Sequence, residues 1–443
     1  MKKVLIITYY WPPGGGAGVQ RWLKFVKYLR EFGWEPIVYT AENPEAPATD
    51  TSLLKDIPAN LTVIKTKIWE PYSLYKSFTG QKQGEKVNAG FISEDKKPGL
   101  LQKISVWIRG NFFIPDARKF WIKPSIKFLT AYLKENPVDV MVSTGPPHSM
   151  HRIALGVKKN LGIPWLADFR DPWTNIDFYD QLMLTSWADA KHRRMEKEVL
   201  TVADWVLTVS WNWADEFKKI VNRNIFVLTN GFDEDDFSQT APAIPYPLSS
   251  NTVIDKFSIC HIGAMNADRN PVHFWEALKE CIAEQKDFAA DCKIHLIGKT
   301  DIRVKESIQE NGLSAFVTYT GYLPHATVTA AMQASQVLLL PLNDTPNTLG
   351  VIPGKLFEYM ASRRPIFAIG KEQGDSAKII RETNAGVICD FKDKEKMKEE
   401  IMKLYILYRN GEFKNITTEI ASYSRREQAK VLSGQLNRLA SKI

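Results

Sequence analysis

Two series of short apolar segments, each alternating with amphipathic segments, run along this chain of 443 residues. The first series begins with KVLIITYY near the amino terminus, and the second begins with FSICHIGA near residue 257. Short continuous apolar runs are typical of parallel strands buried on both faces, and such strands need helical crossovers between them. The sequence therefore predicts an α/β protein with two Rossmann-like parallel-sheet domains.

The predicted domain boundaries follow the change from one series to the other. We expect a first domain over residues 1–238, in which residues 43–125 are an insertion with little periodicity that faces a membrane. A Pro/Ser-rich linker over 239–251 leads to a second domain over 252–424. The amphipathic segment 425–443 is predicted to be a helix that packs back on the first domain. Ligands of such sheets bind beyond the carboxyl ends of the strands, so the cleft between the domains is the predicted site.

Composition and motifs exclude several classes of protein. A formal net charge of +8 suits an anionic partner. No run of eighteen apolar residues occurs, and the first apolar run is too short for a signal peptide, so we expect a cytoplasmic protein without a membrane span. The sequence contains no Walker A motif, nucleophile elbow, HExxH motif or nucleic-acid-binding module. Four cysteines without a CxxC pair or a metal-like cluster predict buried, reduced thiols: Cys260, Cys281, Cys292 and Cys389.

Aromatic and basic residues are mixed between Val106 and Phe128, in VWIRGNFFIPDARKFWIKPSIKF. Such mixing favours contact with a membrane interface, and a packed helical hairpin with a charged rim is the equally supported alternative. The membrane interpretation predicts that binding to anionic vesicles weakens when charge is removed at four positions, which are Arg109, Arg118, Lys119 and Lys123.

Lys355 stands in the first turn of a predicted helix, in the stretch IPGKLFEYMASRRP. Leu356, Phe357, Met360 and Ala361 recur at helical spacing and predict a buried face. A cation at a helix amino terminus opposes the helix dipole unless an anion binds at the same end. Glu358 follows one turn later, and the alternative is a weak Lys–Glu pair on a solvated face.

Arg269 presents the same pattern in HIGAMNADRNP, where it precedes Pro271 at the start of another predicted helix. Two cations that both oppose helix dipoles in the second domain favour one shared diphosphate over two unrelated features. We therefore expect the second domain to bind a diphosphate.

A glycine-rich loop, GGGAG, follows the first predicted strand. Its spacing differs from the GxGxxG of dinucleotide-binding proteins, so NAD or FAD binding is disfavoured. We expect Gly15 and Gly16 to close over a phosphate or a sugar, with a tight strand-to-helix turn as the alternative.

Two further loops of the first domain are candidates for catalysis or for binding an acceptor. His148 directly follows a predicted strand in GPPHSMH, without the spacing of a metal ligand. The stretch ADFRDPW ends the next strand with Asp168, Arg170 and Asp171, and a salt-bridged turn is the alternative interpretation.

Over nearly its whole length the chain resembles the retaining glycosyltransferases of the GT-B fold, most closely glycosyltransferase family 4. The segments that carry the resemblance are GGGAGVQR, LTNGFDEDDF, HIGAMNADRNP, HLIGK, TYTGYLP and PGKLFEYMASRRPIFA. The resemblance implies a GT-B architecture, with two Rossmann-like domains facing a cleft, the acceptor in the first domain and the nucleotide-sugar in the second.

Roles for individual residues are implied by the same resemblance. Glu358 corresponds to the glutamate that accepts hydrogen bonds from the ribose hydroxyls, and Arg269 stands where the family has a diphosphate-binding lysine. The sequence departs from the family pattern at Gly350 and Ala264, where a glutamate and an arginine are usual, and Asp168 lies nearest to the missing first-domain catalytic histidine. The predicted donor-binding residues are Gly15, Gly16, Gly263, Arg269, Gly321, Leu323, Gly354, Lys355 and Glu358. The predicted catalytic residues are Asp168, Arg269, Lys355 and Glu358. The predicted acceptor-binding residues are His148, Arg170 and Asp171.

The expected function is that of a cytoplasmic glycosyltransferase on the inner face of the cell membrane. It would move a sugar from a UDP-sugar, or alternatively a GDP-sugar, to a glycan or lipid-linked acceptor in cell-surface polysaccharide synthesis, with retention and without a metal or other cofactor. Two alternatives stay open. A sugar-nucleotide epimerase uses a similar fold without an acceptor, and a non-catalytic protein that binds anionic surfaces would ignore UDP and respond steeply to salt.

Overall fold

The chain divides into two units in the computed structural model. The first unit comprises Met1–Thr229 together with Arg425–Ile443, and the second comprises Asn230–Ser424. The observed boundary therefore lies at Thr229, before the predicted end of the first domain at residue 238. The structure describes residues 1–45, 49–70, 100–238, 256–323, 325–413 and 419–441, so the predicted linker 239–251 lies outside the described residues.

Parallel strands in the order β3-β2-β1-β4-β5-β6-β7 form the sheet of the first unit. The strands are β1 (Lys2–Ile7), β2 (Trp34–Ala41), β3 (Thr62–Thr66), β4 (Val140–Gly145), β5 (Trp165–Phe169), β6 (Trp205–Thr208) and β7 (Phe226–Val227). The central strands are buried on both faces, in agreement with the apolar runs that predicted them. The helices described between them are α1 (Ala17–Leu29), α2 (Leu100–Phe112), α3 (Lys119–Glu135), α4 (Ser149–Leu161), α5 (Ser186–Val202) and α6 (Trp211–Ile220).

The interval 43–125 is not a single insertion, and this prediction was wrong in part. β3 lies within it and pairs in parallel with β2, with Ile37 opposite Thr62. β3 is an edge strand whose residues are exposed or half-buried, so its sequence lacks the apolar run that marks an interior strand. Residues 71–99 of the interval lie outside the described residues.

A second parallel sheet, in the order β10-β9-β8-β11-β12-β13, forms the second unit. Its strands are β8 (Phe257–Ile262), β9 (Cys292–Ile297), β10 (Val317–Thr320), β11 (Val337–Pro341), β12 (Ile366–Ile369) and β13 (Gly386–Cys389). Its helices are α7 (Asp235–Ser238), α8 (Val272–Glu284), α9 (Lys286–Asp291), α10 (Ile302–Glu310), α11 (His325–Ala334), α12 (Gly354–Ala361), α13 (Asp375–Glu382) and α14 (Lys394–Arg409). The order of both sheets confirms the predicted doubly wound α/β class.

The carboxyl-terminal helix, α15 (Arg425–Ala440), returns to the first unit. Leu432 and Leu436 are fully buried in the same hydrophobic core as Val4 and Trp22. The helix thus covers one face of the first sheet, as its amphipathic pattern predicted. None of the helices in the described part of the chain combines the length and apolar character that crossing a bilayer requires.

Candidate functional site

Helix α12 is docked so that its first turn lies over the carboxyl end of β8. Leu356, Phe357 and Met360 are buried in the core, which explains their helical spacing. Tyr359, buried with them, accepts a hydrogen bond from the backbone N–H of Ile262 at 3.0 Å. Because this bond and the apolar face fix the helix, the side chains of its outer face project from a rigid element.

Lys355 runs directly across Gly263, the residue after β8. A Cβ built on Gly263 would lie 2.1 Å from the Lys355 Nζ, and Gly263 has a φ of +113°, so glycine is required on both counts. No hydrogen bond or ion pair joins the Lys355 ammonium to another side chain within the described ranges. Burial and the nearby positive charge of Arg269 lower the pKa of Lys355 from 10.5 to about 8, while Glu358 acts in the opposite direction.

Arg269 is held beside this lysine by contacts with neighbouring loops. Its Nε donates to the Asn343 Oδ1 at 2.6 Å, and its Nη1 lies 3.5 Å from the carbonyl oxygen of Ala264. Because Arg269 and Lys355 are close enough to influence each other electrostatically, two cations share the start of α12 with one carboxylate, that of Glu358. Such an arrangement favours an anion at that position.

Three loops come together at the same edge of the second sheet. The backbone N–H of Gly263 donates to the Ile297 carbonyl, and that of Gly298 donates to the Thr320 carbonyl, each at 2.7 Å. These bonds place the ends of β8, β9 and β10 in a row. Gly321 and Leu323 follow β10 in this row, and Gly354 is exposed at the first position of α12.

His261 lies beneath the cation pair and was not found from the sequence. It is buried in β8, where its Nδ1 lies 3.0 Å from the carbonyl oxygen of Leu339. Burial and the charges of Lys355 and Arg269 lower the pKa of His261 to about 3, so this ring stays neutral. The only sequence signal that could have identified His261 is its position in an apolar strand, two residues before Gly263.

Asp168, a predicted catalytic residue, lies in the interior of the first unit. Its side chain has no exposed surface, and its oxygens accept hydrogen bonds from Trp22 Nε1 at 2.6 Å and from Thr144 Oγ1 at 2.9 Å. Arg21, equally buried, adds Nε and Nη2 at 3.3 Å each. Through these bonds the buried Asp168 joins α1 to the centre of the sheet, and its catalytic role stays a prediction.

Arg170, a predicted acceptor-binding residue, forms hydrogen bonds with backbone carbonyls of its own unit. Its guanidinium donates to the carbonyl oxygens of Gly18 at 2.8 Å, Gly145 at 3.3 Å and Pro146. It therefore braces the glycine loop against the loop after β4. Asp171, the next residue, is half-buried, and burial raises its pKa.

The two glycines assigned to phosphate or sugar binding lie in the loop that Arg170 braces. Gly16 is the residue that precedes α1 and has a φ of 99°, and its carbonyl oxygen accepts from the N–H of Val19 at 3.0 Å. Both Gly15 and Gly16 belong to the first unit, whereas the cation pair belongs to the second.

His148 is packed in an aromatic stack at the carboxyl end of β4. Its ring lies parallel to that of Trp173, with a centroid separation of 4.6 Å and an angle of 2°. Burial, together with the neighbouring His151, His192 and Arg170, lowers the pKa of His148 well below its ordinary value, so the ring is neutral. Its buried Nδ1 has no hydrogen-bond partner within the described residues.

Helix α5 supports the loop that carries Asp171 and Trp173, and the sequence did not predict this. Glu196 is buried and accepts from Thr174 Oγ1 at 2.6 Å and from the Trp173 backbone N–H at 3.2 Å. His192 accepts from Trp173 Nε1 at 3.0 Å. These contacts join residues about twenty positions apart, so no local pattern could reveal them.

Comparison with known proteins agrees with this geometry. Residues 256–406, which include the cation pair, match the family model described as Glycosyl transferases group 1. No curated protein matches the chain at the level of sequence.

Solved structures of low sequence identity share the fold of the whole chain. HepE from Anabaena, in complex with UDP, has a TM-score of 0.59 at 12% identity, covering 100% of this chain and 98% of that one. An α,α-trehalose-phosphate synthase from Burkholderia xenovorans has a TM-score of 0.61 at 10% identity, covering 98% and 100%. A putative UDP-N-acetylglucosamine 2-epimerase from Listeria monocytogenes has a TM-score of 0.56 at 11% identity, covering 100% and 97%.

The two parallel sheets and the likeness to these structures show that the chain has the GT-B fold, as the sequence predicted. Within it, residues 256–406 of the second unit match the model of the group 1 glycosyltransferases, in agreement with the resemblance found in the sequence.

Proposed function

We propose that the protein is a retaining glycosyltransferase that moves a sugar from a nucleotide-sugar to a glycan or lipid-linked acceptor in cell-surface polysaccharide synthesis. A UDP-sugar is the favoured donor, and a GDP-sugar is the alternative. The protein acts in the cytoplasm, in peripheral contact with the inner face of the cell membrane. The observation that carries the proposal is the pair of Lys355 and Arg269 at the start of α12, with Glu358 one turn further on.

Lys355 and Arg269 act on the leaving group in the proposed reaction. When the bond between the anomeric carbon and the donor diphosphate breaks, the sugar becomes oxocarbenium-like and negative charge grows on the phosphate oxygens. Lys355, Arg269 and the backbone N–H groups at the start of α12 stabilise that charge. Since these groups supply the positive charge, we propose that the reaction needs no metal cofactor.

The remaining roles follow the family resemblance. Glu358 accepts hydrogen bonds from the ribose hydroxyls, because a carboxylate offers two acceptor oxygens to two vicinal donors. Gly321 and Leu323 meet the base, and His148 and Asp171 line the acceptor site of the first unit. The acceptor hydroxyl attacks the anomeric carbon and gives its proton to the leaving phosphate, so the donor is its own base.

Calorimetric titration with UDP and with GDP tests the proposal. We expect the wild-type protein to bind UDP and the Glu358→Ala variant to bind it much more weakly. Glu306→Ala is the matched control, because Glu306 is an exposed glutamate on a helix of the same unit. If neither nucleotide binds to the folded wild-type protein, the proposal is refuted.

A sugar-nucleotide epimerase is the second candidate, because the Listeria protein described as a putative epimerase has the same fold over the whole chain. An epimerase converts a UDP-sugar to its epimer without an acceptor, whereas a transferase releases UDP when an acceptor is present. Proton NMR of UDP-N-acetylglucosamine incubated with the protein distinguishes the two. A new anomeric signal with no release of UDP would favour the epimerase.

A further inference from the structure

Exposed aromatic side chains are concentrated in one part of the first unit. Within the described ranges, every exposed Trp and Phe lies between residues 69 and 187. Trp187 is 64% exposed, Phe112 is 58% and Trp69 is 56%. Large aromatic rings are normally among the most buried side chains, so a group of them in solvent indicates an interaction surface.

Four of the exposed rings meet in two pairs, although they come from separate segments. The rings of Trp69 and Phe120 meet edge to face at 4.7 Å, and those of Trp107 and Phe112 at 5.7 Å. Lys119 connects the two pairs, because its Nζ lies 4.9 Å from the Phe120 ring centroid and donates to the Phe112 carbonyl. We call this group, together with Trp187, the aromatic surface.

Asn111 connects α2 to the loop that leads to Trp187. Its Nδ2 donates to the carbonyl oxygen of Met183 at 3.1 Å, and its Oδ1 accepts from the N–H of Thr185 at 2.7 Å. The Lys191 Nζ lies 4.8 Å from the Trp187 ring centroid, and its charge helps to lower the pKa of Lys119. The α5 end of the surface is thus in electrostatic contact with the α3 end.

The surface carries a strong excess of positive charge. Between residues 100 and 128 the sequence has six basic residues and one acidic residue, Asp116. Lys123 and Lys127 are exposed on α3, and Lys103 on α2. Arg118, which the sequence assigned to this surface, is instead buried in an ion pair with Glu70 and does not contribute.

The aromatic surface lies on the edge of the unit that carries the predicted acceptor loop. Asp116, in the turn between α2 and α3, accepts from the backbone N–H and the hydroxyl of Ser149, each at 2.8 Å. Ser149 follows His148 at the start of α4. A partner that covers the surface therefore comes close to the loop after β4.

We propose that the first unit binds an anionic lipid bilayer through the aromatic surface and that the acceptor is consequently a lipid-anchored molecule. The statement about the acceptor rests on the proposed function, whereas the docking itself does not. Tryptophan is favoured at the membrane–water interface, and lysines around it are attracted to acidic headgroups. A bilayer uses both features, since the rings enter the interface while the ammonium groups remain at headgroup level.

Co-sedimentation with vesicles tests the docking. The probes are vesicles of phosphatidylglycerol mixed with phosphatidylcholine, and vesicles of phosphatidylcholine alone. We expect binding to the first and much weaker binding to the second. Combined Trp69→Ser, Phe112→Ser and Trp187→Ser substitutions should weaken binding by about tenfold or more, because these exposed rings supply the apolar contact. The Lys123→Gln and Lys127→Gln substitutions should each weaken it about fivefold.

The matched control is the pair Lys218→Gln and Lys219→Gln, which removes two exposed charges from α6 of the same unit. Thermal unfolding and UDP titration of each variant separate loss of docking from loss of fold or of the donor site. The inference is overturned if wild-type protein does not bind anionic vesicles, or if the aromatic variant binds them as well as the control. A dimer in solution that the aromatic variant loses, without vesicle binding, would assign the surface to a second copy and also overturn it.

Discussion

Replacing Lys355 by methionine removes a charge from the candidate diphosphate site and keeps most of the side chain's length and apolar stem. In the wild-type protein the Nζ lies over Gly263, beside Arg269, without a hydrogen bond to another described residue. If a diphosphate supplies the missing partner, the variant loses a charge-assisted hydrogen bond of about 1.5–3 kcal/mol. The affinity for UDP at pH 7 should therefore fall by about 10- to 150-fold.

The same substitution should make the ligand-free protein more stable. The pKa of Lys355 is lowered from 10.5 to about 8, which means that folding disfavours its charged form. The shift corresponds to a loss of at most about 3 kcal/mol in the free energy of unfolding at pH 7. Because the folded pKa lies below the unfolded one, the penalty is present below about pH 8. The free energy of unfolding of the wild type should therefore rise between the two pKa values, and that of the variant should not.

Titration calorimetry with UDP at several pH values checks the binding, and urea unfolding checks the stability. Wild-type affinity should fall as the pH rises through about 8, because the neutral amine cannot pair with a phosphate. The Lys355→Met variant should show no such fall. Lys279→Met, at an exposed lysine on α8, is the matched control and should resemble wild type. Equal UDP affinity of the variant and wild type at pH 7 would refute the reasoning.

Three further substitutions test other contacts, one in the second unit and two in the first. Gly263→Ala should weaken UDP binding about as much as Lys355→Met in the same titration, since the new Cβ would lie 2.1 Å from the Lys355 Nζ; unchanged affinity would argue against the observed packing. Asp168→Asn should lower the free energy of unfolding by about 3–5 kcal/mol in urea, because the buried charge of Arg21 loses its carboxylate; wild-type stability would show that this ion pair does not stabilise the fold. Glu196→Gln should lower the free energy of unfolding by about 1–3 kcal/mol and speed hydrogen exchange at residues 171–174, because its amide cannot accept both bonds from Trp173 and Thr174. Unaltered exchange would show that α5 does not hold this loop.

The sequence correctly predicted the parts of the fold that depend on local patterns of residues. Interior strands such as β1 and β11 are continuous apolar runs, and α12 is marked by its buried face and by the cation in its first turn. β3 escaped prediction because an edge strand needs no apolar run. The end of the first domain was placed too late because residues 230–238 belong to the second unit although they lie before the Pro/Ser-rich stretch.

Charged residues after strands were harder to interpret, because sequence does not show which way a side chain points. Asp168 and Arg170 stand two positions apart in ADFRDPW, yet both turn into their own unit, one to Arg21 and the other to backbone carbonyls. Lys355 differs in having no such internal partner among the described residues. Its contact with Gly263 joins residues far apart in the chain, so only the fold could reveal it.

Proton uptake on UDP binding tests the central claim, that Lys355 holds the donor diphosphate, most directly. Calorimetric titrations at about pH 8.5, in buffers with different ionisation enthalpies, give the number of protons taken up. The phosphate of UDP is already ionised at this pH, so uptake reports on the protein. We expect uptake of part of a proton by the wild type, because the anion raises the pKa of Lys355 from about 8, and none by Lys355→Met. UDP binding without proton uptake by the wild-type protein would contradict the account.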